Sequence, residues 1–444
     1  MRSVAALAAD APPSSVIAEA RADYPPILLS IADFYGTLAA ARDLSPRGAP
    51  VTIADWRLLA PAGWSRSVAR RVRCPPVNDA ARFLAWLIAH GRREPGQVLY
   101  GTSDDLAFLF SLHAEELAKH YRMYQPPLST LLGVLDKKAL YDAALEVGLE
   151  VPETYYPADA ADVARLAPTL PYPLLIKQRI QVFSSTHSKG AEVARPRDLV
   201  RMYAEFARDN TFPEVLLTLL PDVAQPMLQR YLPEAHDGIF SVSGFIDRTG
   251  KHFVARGARK ILQRPLRMGI GLCFESAEAT PELARTVAAL CRRVGFFGAF
   301  DCELIQVGDR FLLIDFNPRF FNQLAFDVAR GMPLPWLVYL GALGQDEALA
   351  RAVREAAAAG EHHRDAVFCN RLGLEVYLGT HRLTGRVGAG DLSRWRAWLG
   401  AERLRVDPVA AWDDPAPAVL EAFGIAYGAA RHPRSFLRKH ILDR

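Results

Sequence analysis

Residues 300–319 read FDCELIQVGDRFLLIDFNPR. Two apolar runs broken at alternate positions flank Gly308-Asp309, the pattern of a β-hairpin. Side chains alternate across a strand, so Asp301 and Glu303 share a face of the first strand and Asp315 and Asn317 share a face of the second. Glu303 and Asp315 are an even number of residues apart. A connection with an odd number of loop residues then sets them directly opposite one another, whereas a two-residue loop sends them to opposite faces. Two carboxylates and an amide oxygen converging from one hairpin are hard oxygen donors suited to Mg²⁺, or Mn²⁺ in its place, with waters and phosphate oxygens filling the remaining positions. Asn317-Pro318-Arg319 adds a guanidinium able to hold a phosphate or carboxylate with two parallel hydrogen bonds. The same alternation also describes an exposed hairpin with polar residues on its solvent face, and the hairpin alone does not separate the two.

Upstream, Asp136 reads as the N-cap of a helix with Leu140, Ala144 and Val147 on one face, Gly148 as its stop and Pro152 beyond. LLIKQR (174–179) and 191–194 read as strands around a polar loop, followed by a helix over 197–209. Strands are expected at 228–232 and 240–246, then a turn at Asp247-Arg248-Thr249-Gly250 and a strand over 252–255. Thr280-Pro281 opens a helix that Gly295 ends. Nearer the start, strand candidates at 27–31, 51–54 and 97–100 alternate with helices over 38–42, 78–90 and from Asp104 to about His120. That alternation predicts a small parallel sheet whose ligand-facing loops follow the strand C-termini. The expected organisation is a loose leader over 1–24, an α/β domain over 25–125, a mixed α and antiparallel β domain of two lobes over 126–345, and a C-terminal extension over 346–444.

The hairpin resembles the metal-binding signature of the ATP-grasp superfamily, a carboxylate followed by a second carboxylate-x-Asn-Pro-Arg, and further landmarks of that family stand upstream in the expected order. Asp136-Lys137 with Gly148 and Pro152 resembles its first basic motif, Lys177 its strand-end lysine, Gln181 to Gly190 its phosphate-covering loop, and Met227 to Leu232 its adenine strand. The run from Ser241 to the hairpin looks most like carboxylate–amine ligases of the carbamoyl-phosphate-synthase-like branch. The resemblance implies an ATP-grasp fold preceded by a small Rossmann-like parallel α/β domain, over about residues 27–345.

It also implies ATP and Mg²⁺ as cofactors, small-molecule carboxylate and amine substrates, and homodimerisation. Glu303, Asp315 and Asn317 would hold the metal. Lys137 and Lys177 would neutralise phosphate oxygens, with Ser184, Ser185, Thr186 and Ser188 covering the β- and γ-phosphates. Adenine would lie against Leu228 and Tyr231, its edge read by Gln229 and the backbone of Arg230 to Leu232, with Asp237, or Glu234 in competition, on the ribose. Arg259 and Lys260 would approach the transferred phosphate and the substrate carboxylate, beside Arg319. The first substrate would sit between Arg319 and the loops Asp33 to Thr37 and Thr102 to Asp105. The implied reaction is ligation through an acyl phosphate; the alternatives are an ATP-grasp kinase or carboxylase, and a non-catalytic ATP-binding regulatory protein.

Composition narrows the classes further. With 50% hydrophobic and 23% charged residues the 444-residue chain is neither disordered nor fibrous. A net charge of +4 with dispersed basic residues does not suggest nucleic acid as a partner. Five cysteines without a CxxC pair fit reduced thiols in the cytoplasm, and no apolar window reaches the length of a membrane span. GxSxG, GxxxxGK[ST] and a catalytic Cys–His pair are absent from the sequence. Arg66, Arg70, Arg71 and Arg73 read as a solvated helix face, His362-His363 as a solvated loop, and Phe436 to Arg444 as a basic amphipathic tail packing on the protein's own surface.

Overall fold

The computed structural model describes residues 24–184, 190–264, 269–360, 365–400, 403–434 and 436. The leader apart from Tyr24, Ser185, Thr186 and Ser188 of the covering loop, His362 and His363, and the tail beyond Phe436 lie outside these residues.

Strands β1 (Ile27–Ser30), β2 (Val51–Asp55), β3 (Arg70–Arg73), β4 (Gln97–Leu99) and β5 (Tyr121–Met123) form a parallel sheet in the order β3-β2-β1-β4-β5. The central β1 is buried along its whole length, as a strand covered by helices on both faces must be. Its edge strand β3 corrects the reading of Arg70, Arg71 and Arg73 as a helix face: Thr52 to Asp55 pair with Arg70 to Arg73, and three exposed arginines guard the free edge.

A four-stranded antiparallel sheet follows, from β6 (Thr154–Tyr155), β7 (Leu174–Lys177), β8 (Ala191–Val193) and β9 (Met227–Arg230) in the order β6-β9-β7-β8. Leu174, Ile176, Val193 and Leu228 turn to one face, where they pack on Leu199 and Tyr203 of the helix Pro196–Asp209. The alternate residues Leu175, Lys177 and Gln229 therefore face the other way.

The third sheet joins β10 (Ile239–Ile246), β11 (Phe253–Arg264), β12 (Ile270–Ala277), β13 (Gly298–Val307), β14 (Arg310–Asn317), β15 (Ala366–Cys369) and β16 (Leu404–Val406) in the order β14-β13-β10-β11-β12-β15-β16. The last two strands belong to the C-terminal segment, which thus completes the large sheet. Beneath it run the helices Lys137–Glu146 and Pro281–Val294. Leu283, Val287, Leu290 and Cys291 of the second pack with Phe300 and Phe316 of the hairpin. As expected, Thr280 caps that helix, and Gly295 ends it at φ 70°, where a side chain would be strained. All five cysteines are buried free thiols, and no described helix is long and apolar enough to cross a membrane.

Candidate active site

The hairpin β13–β14 turns through two residues, since Val307 pairs with Arg310. That connection on its own would place Glu303 and Asp315 on opposite faces. A β-bulge at Ile314 corrects it. Leu304 pairs with Leu313, but Glu303 pairs with Asp315 and Asp301 with Asn317, leaving Ile314 as the extra residue. The Ile314 carbonyl accepts a hydrogen bond from the Tyr141 hydroxyl at 3.1 Å. The two carboxylates therefore face each other, as the sequence required for a metal site, by a bulge in place of an odd loop.

Each carboxylate meets a buried lysine. Lys137 Nζ lies 2.8 Å from Asp315 Oδ1, and Lys260 Nζ lies 2.9 Å from Glu303 Oε1. Lys137 is the first residue of its helix because Asp136 caps it, and Asp136 is itself clamped by Arg179 at 2.9 Å and 2.5 Å. Lys177 joins them from the end of β7, donating to Gln229 Oε1 at 3.2 Å, while Gln229 Nε2 donates to the Tyr141 hydroxyl and Thr154 Oγ1. Three ammonium groups and three carboxylates, Glu303, Asp315 and Glu192, thus line one cleft between the four- and seven-stranded sheets.

Tyr231 and Leu232 lie on the same wall with Leu175, Ala235, Ile239, Ile305 and Ile314, and Arg230 contributes at its edge. Leu228 does not: it is 0% exposed and turned toward the helix, so the apolar surface beside Tyr231 comes from Leu175 and Ile239 instead. Gln181, where the covering loop is expected to begin, lines the cleft, as do Glu192 and Gln263, which the sequence did not single out. Alternation about the apolar Ala191 and Val193 was the signal that Glu192 faces away from the core. Asp237 and Glu234 are exposed and off the cleft lining.

Arg259 and Lys260 do not follow a strand but sit within β11, and neighbouring strand residues point apart. Lys260 enters the cleft; Arg259 is exposed, on the face it shares with its strand partner Glu275. Arg319 and Asn317 stand next to the cleft, toward the N-terminal sheet. Asp104, at the start of the helix Asp104–Leu112, grips the Arg319 guanidinium at 3.1 Å and 3.2 Å, and Asn317 Oδ1 accepts from it at 2.8 Å. Burial opposes the charge on Arg319, but Asp104, Asp301 and Asp315 raise its pKa above the ordinary value. Asp301 is 1% exposed; burial first, then the charge of Glu303, pushes its carboxyl up to about 7, and it accepts from Gln323 and Asn317.

Ser184 closes the described part of the covering loop, accepting from Gln178 Nε2 at 2.6 Å. One residue earlier, Phe183 has a left-handed backbone (φ 46°), and its N–H donates to Asp105. Burial pushes Asp105 up to about 6. Gly36, in the loop-facing end of the helix Tyr35–Leu44, has no room for a side chain, as a Cβ there would stand 2.7 Å from the Phe321 carbonyl. The N-terminal domain is thereby held close against the segment that follows Arg319.

No protein-family model matches the chain, and no curated protein matches it in sequence. Solved structures do match. The biotin carboxylase of Campylobacter jejuni aligns with a TM-score of 0.56 at 15% identity, over 71% of this chain and 70% of that one. The N5-carboxyaminoimidazole synthetase of Staphylococcus aureus, complexed with ADP, aligns with a TM-score of 0.55 at 14% identity, over 72% and 79%. The L-amino acid ligase of Bacillus licheniformis aligns with a TM-score of 0.54 at 14% identity, over 72% and 75%. The chain has the ATP-grasp fold.

The donor set fits the groups the fold implies. Among the described residues no three His, Cys, Asp or Glu side chains cluster as a metal cage. Two facing carboxylates and an amide oxygen suffice for Mg²⁺, which retains waters and takes phosphate oxygens as its other ligands. Three lysines lining a cleft whose wall also carries Leu175, Tyr231, Leu232 and Ile239 suit a polyanion attached to a flat apolar ring.

Proposed function

We propose that this chain is an ATP- and Mg²⁺-dependent carboxylate–amine ligase. The observation that carries the reading is the convergence of Lys137, Lys177 and Lys260 on the facing pair Glu303 and Asp315 in one cleft with an apolar wall. In this reading adenine lies against Leu175, Tyr231, Leu232 and Ile239, and the triphosphate runs toward the lysines.

Mg²⁺ held by Glu303, Asp315 and Asn317 supplies charge neutralisation on the phosphate oxygens. Lys137 and Lys260, which balance the two carboxylates here, turn to the phosphates, and Lys177 adds a third charge. The carboxylate of the first substrate is oriented by Arg319 beside Asp104. It attacks the γ-phosphorus, the bond to the β-phosphate oxygen breaks, and ADP leaves. The amine then attacks the acyl carbon of the acyl phosphate, forming the C–N bond and releasing phosphate. Positioning and electrostatics carry both steps, with no covalent bond to the protein.

The test is Mg²⁺-dependent ADP formation over a panel of amino and other carboxylic acids, each with and without pooled amines, and with a bicarbonate arm. The expected result is ADP release that needs both a carboxylate and an amine. Asp315→Asn, which keeps a hydrogen-bond acceptor beside the buried Lys137, should keep its fold and lose this activity by at least about 100-fold. ADP formed with bicarbonate alone would assign a carboxylase, and with an alcohol alone a kinase. ATP binding without turnover on any acid would leave a regulatory protein.

A further inference from the structure

The parallel sheet carries a second cavity, of about 280 Å³, whose lining is distinct from that of the cleft. It lies on one face of the edge pair β2–β3. Ile53 pairs with Arg71 and Asp55 with Arg73, and partners in a ladder share a face, so these four residues form its floor. The segment after β2 walls it with Trp56, Leu58 and Gly63. Trp56 is 48% exposed and Leu58 78%.

Guarding the sheet edge accounts for a basic β3, but not for how its arginines are held. On the opposite face, Arg70 is gripped by both oxygens of Glu94 at 2.6 Å. Arg71 and Arg73 form no ion pair among the described residues. Asp55, the carboxylate in the lining, is already satisfied: it accepts from the N–H groups of Ala32 and Arg57 at 2.7 Å each, and from the Arg57 guanidinium at 3.1 and 3.0 Å. Asp33 takes the rest of that guanidinium. Arg57 is therefore neutralised and clamps the wall, while the charges of Arg71 and Arg73 remain uncompensated.

Arg71 is also fixed in place. Its guanidinium lies over the Trp64 ring, 3.9 Å from the centroid, and the Trp64 indole N–H donates to the Leu58 carbonyl at 2.7 Å. A guanidinium stacked by its face keeps its edge N–H groups for an anion. Two residues of strand separate Arg71 from Arg73 by about 6.6 Å, a span that one phosphate or carboxylate bridges between two long side chains. Trp56 and Leu58 beside them offer open apolar surface for a flat ring.

We propose that this cavity is a second ligand site, taking a small organic anion with a flat ring: its phosphate or carboxylate lies between Arg71 and Arg73, and its ring lies on Trp56 and Leu58. Nothing in the site depends on ATP.

Isothermal titration of the full chain with phenyl phosphate, benzoate, inorganic phosphate and acetate tests it, each with and without saturating Mg²⁺ and a non-hydrolysable ATP analogue. The expected result is one saturable site for phenyl phosphate or benzoate with a Kd below about 1 mM, unchanged by the analogue. Which of the two binds tighter tells a phosphate monoester from a carboxylic acid. Arg71→Gln combined with Arg73→Gln, at exposed positions, should weaken binding by at least about tenfold, and Trp56→Ala by about 3- to 10-fold, with unchanged circular dichroism. Arg70→Gln, on the other face, should leave it within about twofold. No saturation up to about 10 mM of either probe, or binding indifferent to the double variant or to Trp56→Ala, overturns the proposal. So does inorganic phosphate or acetate binding as tightly as its phenyl counterpart, or a site that the ATP analogue abolishes, which would place the anion among the lysines of the cleft. The variants lie outside that cleft, so failure of this site leaves the ligase reading standing.

Discussion

Arg259 and Lys260 are adjacent and both cationic, yet the pleat sends one to solvent and one to Glu303. Their contributions should differ accordingly. On the ligase reading, Arg259→Ala should leave Mg²⁺-dependent ADP formation within about twofold, while Lys260→Ala should lower it by about 100-fold or more, the loss expected for a charge aimed at a transferring phosphoryl group. Equal losses in steady-state assays of the two variants would show that Arg259 reaches the chemistry from outside the cleft. The buried position of Lys260 also makes its partner matter, since Glu303 Oε1 stands 2.9 Å from the ammonium.

At the scale of the element, the bulge in β14 decides whether Glu303 and Asp315 face each other. It frees the Ile314 carbonyl, and Tyr141 from the helix Lys137–Glu146 takes it up while its own oxygen accepts from Gln229. One hydroxyl thus ties the carboxylate strand β14, the Lys137 helix and β9 together. Tyr141→Phe leaves a buried carbonyl and a buried amide each short of a partner, a cost of about 1–2 kcal/mol in denaturant melts. On the ligase reading it should raise KM for ATP by about 3- to 10-fold, a free-energy change of similar size, with a smaller effect on kcat. An unchanged KM in steady-state kinetics would mean that Gln229 does not help to place the nucleotide.

Across the whole molecule, the C-terminal segment acts as a strap. Its strands extend the large sheet beside β12, and its Asp414 accepts from Arg42 Nε, Ser65 Oγ and the Arg66 N–H of the first domain at 3.0, 2.6 and 2.9 Å. Asp414→Ala leaves Arg42 without its carboxylate and should destabilise the protein by about 3 kcal/mol, read as a lower urea midpoint. Burial works against the charge on Asp414, but Ser65, Arg66 and Arg42 together hold its carboxyl below the ordinary value. A depressed native pKa contributes stability that is present above about pH 4 and lost as the pH falls through the native value. The melting curves of wild type and Asp414→Ala should therefore converge in acid, below about pH 4. A gap that persists there would mean the carboxylate's charge is not what holds the strap.

The sequence by itself determined what depends on neighbours along the chain. The caps Asp136 and Thr280, the stops Gly148 and Gly295, the strand alternation at Asp301, Glu303, Asp315 and Asn317, and the order of the basic motifs are local, so period and capping chemistry made them legible. Tertiary structure decided what depends on partners far away in the chain. Leu228 turned to a helix rather than to the cleft, Arg70 to Arg73 became an edge strand because Thr52 to Asp55 offered a ladder, and strands β15 and β16 found the free edge of β12. The bulge at Ile314 belongs with these. A two-residue turn by itself sets Glu303 and Asp315 on opposite faces, and the hydroxyl of Tyr141, a hundred and seventy-three residues earlier, takes up the carbonyl that the bulge sets free.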